Sequence, residues 1–225
     1  KPNVYRISLN GSGAETAGTK VYYEQYNTGN YTDFDCTTII STITPPTKTG
    51  YMFKGYFTET DGNGMRYIDE TGRIIAKNTA FLEDTTLYAH WEANRYTINF
   101  HANGGMGTME CLNPSYGEVV NLSSNTFEKA GYRFIGWAIS EKGTVMYEDR
   151  QEVSNLTSVN NDTISLYAVW KPNESTVSYH ANGGDYAPSS QVKYYGINIT
   201  LRAEYPTREG YKFLGWNDNG VLYAS

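Results

Sequence analysis

The sequence predicts a β-rich α+β fold built from small tandem repeats, each with about five short strands and little helix. Three observations predict it. A block at residues 96–105, YTINFHANGG, returns at 175–184 as STVSYHANGG, a shift of 79 residues. Apolar and polar residues alternate in short runs, which is the period of a half-buried strand. Asn and Gly, which tolerate positive φ, interrupt those runs and predict turns.

The repeat register continues through further motifs. The block GYRFIGW at 131–137 matches GYKFLGW at 210–216, and Tyr116-Gly117 matches Tyr195-Gly196. The first 94 residues are a more divergent copy, with about ten extra residues in the Tyr-rich stretch 21–34. We therefore expect three domains: an enlarged variant repeat at 1–94, a complete repeat at 95–173, and a repeat at 174–225 truncated before its closing strand.

The first half of the complete repeat predicts two strands. Tyr96, Ile98 and Phe100 alternate with polar residues and predict a strand that ends at the turn Asn103-Gly104-Gly105. The alternation of Val120 and Leu122 predicts the second strand. The segment from Leu122 to Gly131 is too short for a long helix, although a short helical turn fits.

The second half predicts three more strands. In the third, residues 131–137, Tyr132 and Phe134 face one side and Ile135 and Trp137 the other, which indicates a strand covered on both faces. Residues 145–147 predict a short fourth strand. We expect the polar residues 148–163 to be irregular, and 166–170 to form the closing strand.

The composition excludes some classes of function. Eighteen Lys and Arg against 24 Asp and Glu give a net charge of −6, and no basic cluster offers a nucleic-acid surface. No apolar run reaches the roughly 18 residues of a membrane-spanning helix. Cys36 and Cys111 make no disulfide framework, and we interpret them as two separate thiols. The incomplete last repeat leads us to expect a piece of a longer array.

These motifs resemble the B-repeat of internalin-type proteins, also called the Listeria–Bacteroides repeat. The family pattern combines an N-G-G turn, a Y-G block, a G-Y-x-F-x-G-W block and a closing L-Y-A-x-W. Residues 95–173 carry all of these, although Phe127 stands where the family has a proline. The resemblance implies a β-grasp-like module of extracellular proteins, either secreted or on the bacterial cell surface. It brings no catalytic residues and no cofactor.

Two functions fit the resemblance. The first is a set of non-catalytic spacer or binding modules in a cell-surface adhesin-like protein. The alternative is an accessory C-terminal or linker region of a large secreted enzyme, such as a peptidase, that docks substrate or the catalytic domain. The expected partners are a protein or glycan of unknown identity, or adjoining domains of the parent protein. We expect no nucleic-acid partner and no membrane insertion by this chain.

The residues that could take part in catalysis or metal binding form no recognised motif. His101 and His180 are equivalent positions on the outward side of the first strand, and we interpret both as structural. The segment 61–64, DGNG, faintly resembles a calcium loop but lacks the remaining oxygen ligands, so a hairpin turn is the better interpretation. We therefore predict no catalytic, cofactor-binding or metal-binding residues.

The Tyr-rich stretch of the first repeat is the candidate binding surface. Most of the 21 tyrosines are explained as a core repeated three times, but the segment 21–31 breaks the repeat. Exposed tyrosines make good recognition surfaces, because they offer large contact area with few rotatable bonds. Our hypothesis is that a partner site includes Tyr22, Tyr23, Tyr26 and Tyr31. The alternative is that these rings pack onto the first repeat as an enlarged hairpin.

Overall fold

The computed structural model describes residues 2–223, and these residues are almost entirely strands, turns and irregular segments. Within them, the one helical element is a single 3₁₀ turn at Thr60–Gly62. The prediction of a β-rich chain with little helix is confirmed. The contacts divide the chain into two compact units. The first unit contains residues up to 99 together with 111–122 and 151–164, and the second contains 100–110, 123–150 and the described residues from 165 onward.

The first repeat forms one six-stranded sheet in the first unit. Its strands are β1 (Val4–Asn10), β2 (Val21–Gln25), β3 (Gly29–Tyr31), β4 (Tyr51–Phe57), β5 (Arg66–Ile68) and β6 (Thr85–Ala93), in the order β3-β2-β1-β6-β4-β5. Strands β1 and β6 are parallel, and the other pairs are antiparallel. Alternate side chains of these strands bury one face of the sheet, as the period of two requires. The core includes Ile7, Tyr22, Tyr56, Ile68 and Leu87.

The second repeat contains five strands. They are β7 (Tyr96–His101), β8 (Val119–Asn121), β9 (Tyr132–Ala138), β10 (Glu152–Ser154) and β11 (Asp162–Pro172). Strands β7, β11 and β9 form one sheet in that order, and β8 pairs with β10. The predicted first, second, third and closing strands are present. No helical turn forms between Leu122 and Gly131, where the backbone is extended or irregular.

The predicted fourth strand was wrong. Residues 145–147 contribute only an isolated bridge between Trp137 and Tyr147. The fourth strand is β10, inside the segment expected to be irregular, where Val153 is buried between two exposed neighbours. A strand of three residues is too short to show a period, so the pattern did not reveal it.

The predicted facing of the third strand was also wrong, because β9 contains a bulge. Its partner β11 pairs Trp170 with Phe134 and the adjacent Val169 with Gly136, so Ile135 is the extra residue. The bulge brings the rings of Phe134 and Trp137 to the same side, with their centroids 4.8 Å apart. Gly136 takes a φ of 139°, which a residue with a side chain rarely adopts.

The third repeat has less core than the other two. Its strands form two separate hairpins, β12 (Glu174–Val177) with β13 (Gln191–Tyr194) and β14 (Trp216–Asp218) with β15 (Val221–Tyr223). Among the described residues from 175 onward, Tyr179 is the one buried hydrophobic side chain apart from the prolines Pro188 and Pro206. Leu214 and Tyr211 of the GYKFLGW block are about 70% and 69% exposed.

Candidate functional site

The joints between repeats are very short. Only Asn94 and Arg95 separate β6 from β7, and only Asn173 separates β11 from β12. In the first joint the Asn94 N–H donates to the Gly50 carbonyl at 2.8 Å, and the Tyr116 N–H donates to the Asn94 carbonyl at 2.7 Å. The asparagine backbone therefore links the preceding repeat to the following one.

The second joint repeats this arrangement. The Asn173 N–H donates to the Gly131 carbonyl at 2.8 Å, and the Tyr195 N–H donates to the Asn173 carbonyl at 2.9 Å. The same pair of backbone hydrogen bonds therefore occurs in both joints.

A tyrosine ring covers a glycine in both joints. The ring of Tyr116 lies against Gly50, where it would overlap a Cβ, and the ring of Tyr195 lies in the same way against Gly131. Both glycines have a φ of 77°. Each tyrosine also meets a second ring edge to face, Tyr51 or Tyr132, with centroids 5.8 Å apart in both cases. Such pairs add about 0.5–1.5 kcal/mol beyond area burial.

A cation completes each contact. Lys48 Nζ lies 4.3 Å from the ring centroid of Tyr51, and Lys129 Nζ lies 4.8 Å from that of Tyr132. We call each K-x-G-Y surface, Lys48/Gly50/Tyr51 and Lys129/Gly131/Tyr132, a tyrosine socket. We call Tyr116 and Tyr195 joint tyrosines. In the sequence these residues stand out only as repeat markers, although their recurrence beside each joint was a usable signal of their structural role.

The four candidate tyrosines of the first repeat do not share one surface. Tyr22 and Tyr31 are buried, which removes them from contact with a partner in this conformation. Tyr23 is half-buried and meets Phe34 edge to face at 5.9 Å. Tyr26 is 38% exposed, and its N–H donates to the Asn3 carbonyl at 2.9 Å. That hydrogen bond makes Tyr26 the equivalent of the joint tyrosines, and Asn3 the equivalent of Asn94 and Asn173.

A buried carboxyl lies beside these tyrosines. Glu24 is fully buried on β2, where one of its oxygens accepts the Phe81 N–H at 3.3 Å. Burial raises the pKa of Glu24, although backbone N–H groups at Phe81 and Ala80 oppose the shift. Burial also raises the pKa of Tyr56 to about 12. Both side chains are fully buried in the first repeat.

The remaining candidates have structural surroundings. His101 stacks on Tyr167 with ring centroids 4.7 Å apart, and its Nε2 lies 3.1 Å from Ser165 Oγ. The segment 61–64 lies between the paired strands β4 and β5, with Asp61 and Gly62 in the 3₁₀ turn, as expected of a hairpin connection. Cys36 and Cys111 are two separate thiols, as predicted. In the described part of the chain, no cluster of three His, Cys, Asp or Glu could hold a metal, and no helix could span a membrane.

A groove of about 1200 Å³ opens in the third repeat. Residues 176–182 line one side and 211–218 the other, and these segments correspond to β7 and β9 of the second repeat. In the second repeat the closing strand β11 lies between those two strands. It is held there by Trp170 Nε1, which donates to the Ala102 carbonyl at 2.9 Å, and by Asn103 Nδ2, which donates to the Ala168 carbonyl at 2.9 Å.

Comparison with known proteins identifies the repeat. The Listeria-Bacteroides repeat domain matches at residues 5–90, 96–169 and 176–224. The chain belongs to the Listeria–Bacteroides repeat family. The three matches follow one another along nearly the whole chain, so the tandem array predicted from the sequence is confirmed.

Three relatives of this Listeria–Bacteroides repeat chain come from two bacterial species. A protein of Evansella cellulosilytica, provisionally named a membrane protein, is 33% identical over 95% of this chain and 28% of its own length. A second Evansella protein, provisionally named a Gly-rich membrane protein, is 32% identical over 78% of the chain and 20% of its own length. Internalin H of Listeria monocytogenes is 29% identical over 61% of the chain and 22% of its own length.

This chain spans less than a third of the length of each of these relatives. No solved structure matches the chain. Repeats of this family occur in surface proteins, internalin H among them.

Proposed function

We propose that this chain is a non-catalytic array of β-grasp-like repeats that serves as a stiff spacer in an extracellular protein of the bacterial surface. The observation that carries the proposal is the joint. Two successive joints use the same pair of backbone hydrogen bonds, the same ring-on-glycine contact and the same ring pair. A flexible connection would need none of these contacts, whereas a fixed angle between neighbouring repeats requires them.

The lengths of the joints support the same function. With one or two residues between strands, the chain has almost no freedom to reorient one repeat against the next. The parallel pairing of the first and last strands, β1 and β6, supports the β-grasp-like assignment. The names of the relatives favour a surface protein over the accessory region of a secreted enzyme.

The groove supports the division of the chain into one enlarged, one complete and one incomplete repeat. Its two sides correspond to the strands that hold β11 in the second repeat. The groove is then the place that a closing strand would occupy.

Spin-label distances test the stiffness of the first joint. Thr86→Cys on β6 and Val119→Cys on β8 place labels at exposed positions of neighbouring repeats, in a Cys36→Ser, Cys111→Ser background. We expect one narrow distance distribution that broadens when Tyr116→Ala removes the ring from Gly50. Tyr186→Ala, which removes an exposed tyrosine elsewhere, is the control and leaves the width unchanged. A broad distribution in the parent protein would contradict the spacer function.

A further inference from the structure

The first joint is bonded by a second segment of the second repeat, in addition to the one that carries its joint tyrosine. The joint consists of Asn94 and Arg95, and the backbone of Asn94 bonds the glycine of the tyrosine socket and the joint tyrosine. The Arg95 N–H donates to Asn160 Oδ1 at 3.0 Å, and the Arg95 carbonyl accepts the Asn161 N–H at 2.7 Å. All the backbone polar groups of the joint are therefore bonded, and those of Arg95 are bonded by residues that come much later in the repeat.

We call residues 155–161, between β10 and β11, the joint loop. Its first and last residues, Asn155 and Asn161, have φ of 51° and 60°, in the left-handed region that asparagine tolerates. Near its centre the Thr157 hydroxyl donates to Asp162 Oδ2 at 2.8 Å. The joint loop is therefore a structured turn whose shape is set by its own residues.

The joint loop also binds side chains on the other side of the joint. Asn94 is 9% exposed, and its Nδ2 donates to the Ser158 carbonyl at 2.7 Å. A buried amide without a partner is unfavourable, so this hydrogen bond couples the position of the loop to that of Asn94. Asn160 Nδ2 lies 3.4 Å from Sδ of Met52, which is on β4 of the first repeat. The joint loop therefore contacts both the joint and the sheet that precedes it.

The joint loop belongs to the same compact unit as the first repeat. Residues 111–122 and 151–164 of the second repeat group with the residues up to 99. These two segments are joined to each other by the pairing of β8 with β10 and by a hydrogen bond from the Gly117 N–H to Asn155 Oδ1. The segment of the joint tyrosine and the joint loop therefore form one paired structure that binds the joint.

We propose that the joint loop fixes the angle of the first joint, so that the junction becomes stiff only when the second repeat has folded through β10 and β11. The proposal rests on the spacer function and names the segment on which the stiffness depends. Tyr116 comes before β9 in the chain and the joint loop comes after it. A second repeat folded only as far as β9 would keep the ring of Tyr116 on Gly50 but leave Arg95 free to rotate.

The alternative is that the ring of Tyr116 on Gly50 fixes the joint by itself. The joint loop would then follow the joint passively, and removing one of its hydrogen bonds would affect only the amide that loses its acceptor. The two possibilities differ in what happens to the amides of Asn94 and Tyr116 when Asn160 is changed.

Amide hydrogen exchange of the chain tests the proposal. Asn160→Ala removes the acceptor of the Arg95 N–H and the contact with Met52. We expect exchange at least about fivefold faster at Arg95 and also at Asn94 and Tyr116, whose own hydrogen bonds the substitution leaves intact. Acceleration confined to Arg95, or none at all, would overturn the proposal.

The second joint is an internal control for this measurement. The amides of Asn173 and Tyr195 make the same hydrogen bonds there, and they should keep their exchange rates in Asn160→Ala. Equal acceleration in both joints would show a general loss of stability and would also overturn the proposal.

Two further substitutions separate the lost hydrogen bond from the change of residue. Asn160→Asp keeps an acceptor for the Arg95 N–H and should retain the parent rates at the other joint amides. Asn113→Ala removes an exposed asparagine of the same repeat, which accepts the Thr97 hydroxyl at 2.9 Å outside the joint loop, and should change none of these rates. Acceleration in Asn113→Ala like that in Asn160→Ala would contradict a specific role of the joint loop.

Spin-label distances distinguish this proposal from the spacer function. With the labels at residues 86 and 119, Asn160→Ala should broaden the distance distribution as Tyr116→Ala does. A narrow parent distribution that Asn160→Ala leaves unchanged would overturn the role of the joint loop and leave the spacer function intact. A broad parent distribution would contradict the spacer function itself.

Discussion

The ring of Tyr195 occupies the position that a Cβ of Gly131 would need. Glycine is required at this position for two reasons. Its φ is 77°, and the ring leaves no room for a side chain. Gly210, one repeat later, has nearly the same φ of 78°, and no atom of residues 2–223 lies within 4 Å of the position that its Cβ would take. Substitutions at Gly131 and Gly210 can therefore separate the effect of backbone strain from the effect of ring packing in the joint.

Alanine at these two glycines should have unequal effects. Gly210→Ala introduces only left-handed strain, about 1–2 kcal/mol. Gly131→Ala adds the clash with Tyr195, and we expect it to lower the free energy of unfolding by about 1–3 kcal/mol more. Urea denaturation followed by tryptophan fluorescence measures both. Similar losses in the two variants would mean that the ring contact contributes nothing.

The bulge in β9 predicts that neighbouring residues tolerate substitution very differently. Ile135→Lys should change stability by less than about 0.5 kcal/mol, because the side chain is exposed and Lys54 stands at the same place in the first repeat. Phe134→Ala removes a ring that contacts Trp137 and Trp170 and should cost about 2–4 kcal/mol. Thermal unfolding of the two variants checks this. A large loss of stability in Ile135→Lys would instead indicate that β9 is covered on both faces.

Glu24 predicts an unusual dependence of stability on pH. Because burial raises its pKa, the folded state holds the proton more tightly than the unfolded state does. Its contribution is therefore fully present below the unfolded pKa and is lost as pH rises through the folded pKa. Glu24→Gln keeps an acceptor for the Phe81 N–H without the charge, so it should raise the melting temperature at pH 7 more than at pH 4.

The pH profile of Glu24→Gln needs a control that changes the same charge at the surface. Glu83→Gln removes an exposed carboxylate and is expected to leave the slope of melting temperature against pH unchanged. A parent-like slope in Glu24→Gln would show that another group titrates.

The groove predicts that the third repeat accepts a closing strand. A synthetic peptide with the sequence of residues 162–172, DTISLYAVWKP, should slow amide hydrogen exchange in residues 176–180 and 211–217. A peptide with Ala in place of the tryptophan loses the indole that binds the turn carbonyl in the second repeat, and should protect these amides less. Protection spread over the whole chain, or equal protection by both peptides, would argue against a specific strand site.

Much of the fold follows from the sequence, and the failures have identifiable causes. The alternation at Tyr96, Ile98 and Phe100 locates β7, and the three motif blocks locate the repeats. The alternation of side chains along a strand does not reveal an inserted residue. The bulge at Ile135 therefore places Trp137 on the face opposite to the predicted one. The glycine at 136 was the available sign, since a glycine inside a strand marks bulges.

The candidate site was less accessible to sequence reasoning. Tyr26 is the equivalent of Tyr116, but Asn27 replaces the glycine of the Y-G block and the longer first repeat shifts the register. The equivalence rests on one backbone hydrogen bond to Asn3, which no composition or spacing reveals. Tyr26 differs from Tyr22 and Tyr31 because it lies beyond the end of β2, in the turn before β3, whereas Tyr22 lies on the buried side of β2 and Tyr31 is buried at the end of β3.

The joint has a consequence for the gene as well as the protein. Each repeat encodes both halves of the contact, since a K-x-G-Y or R-x-G-Y surface and a joint tyrosine lie within the same unit. An unequal crossover between equivalent points of two repeats then adds or deletes one unit while restoring a complete junction on either side. A chain with one whole repeat more or fewer would therefore keep the same contacts at every junction.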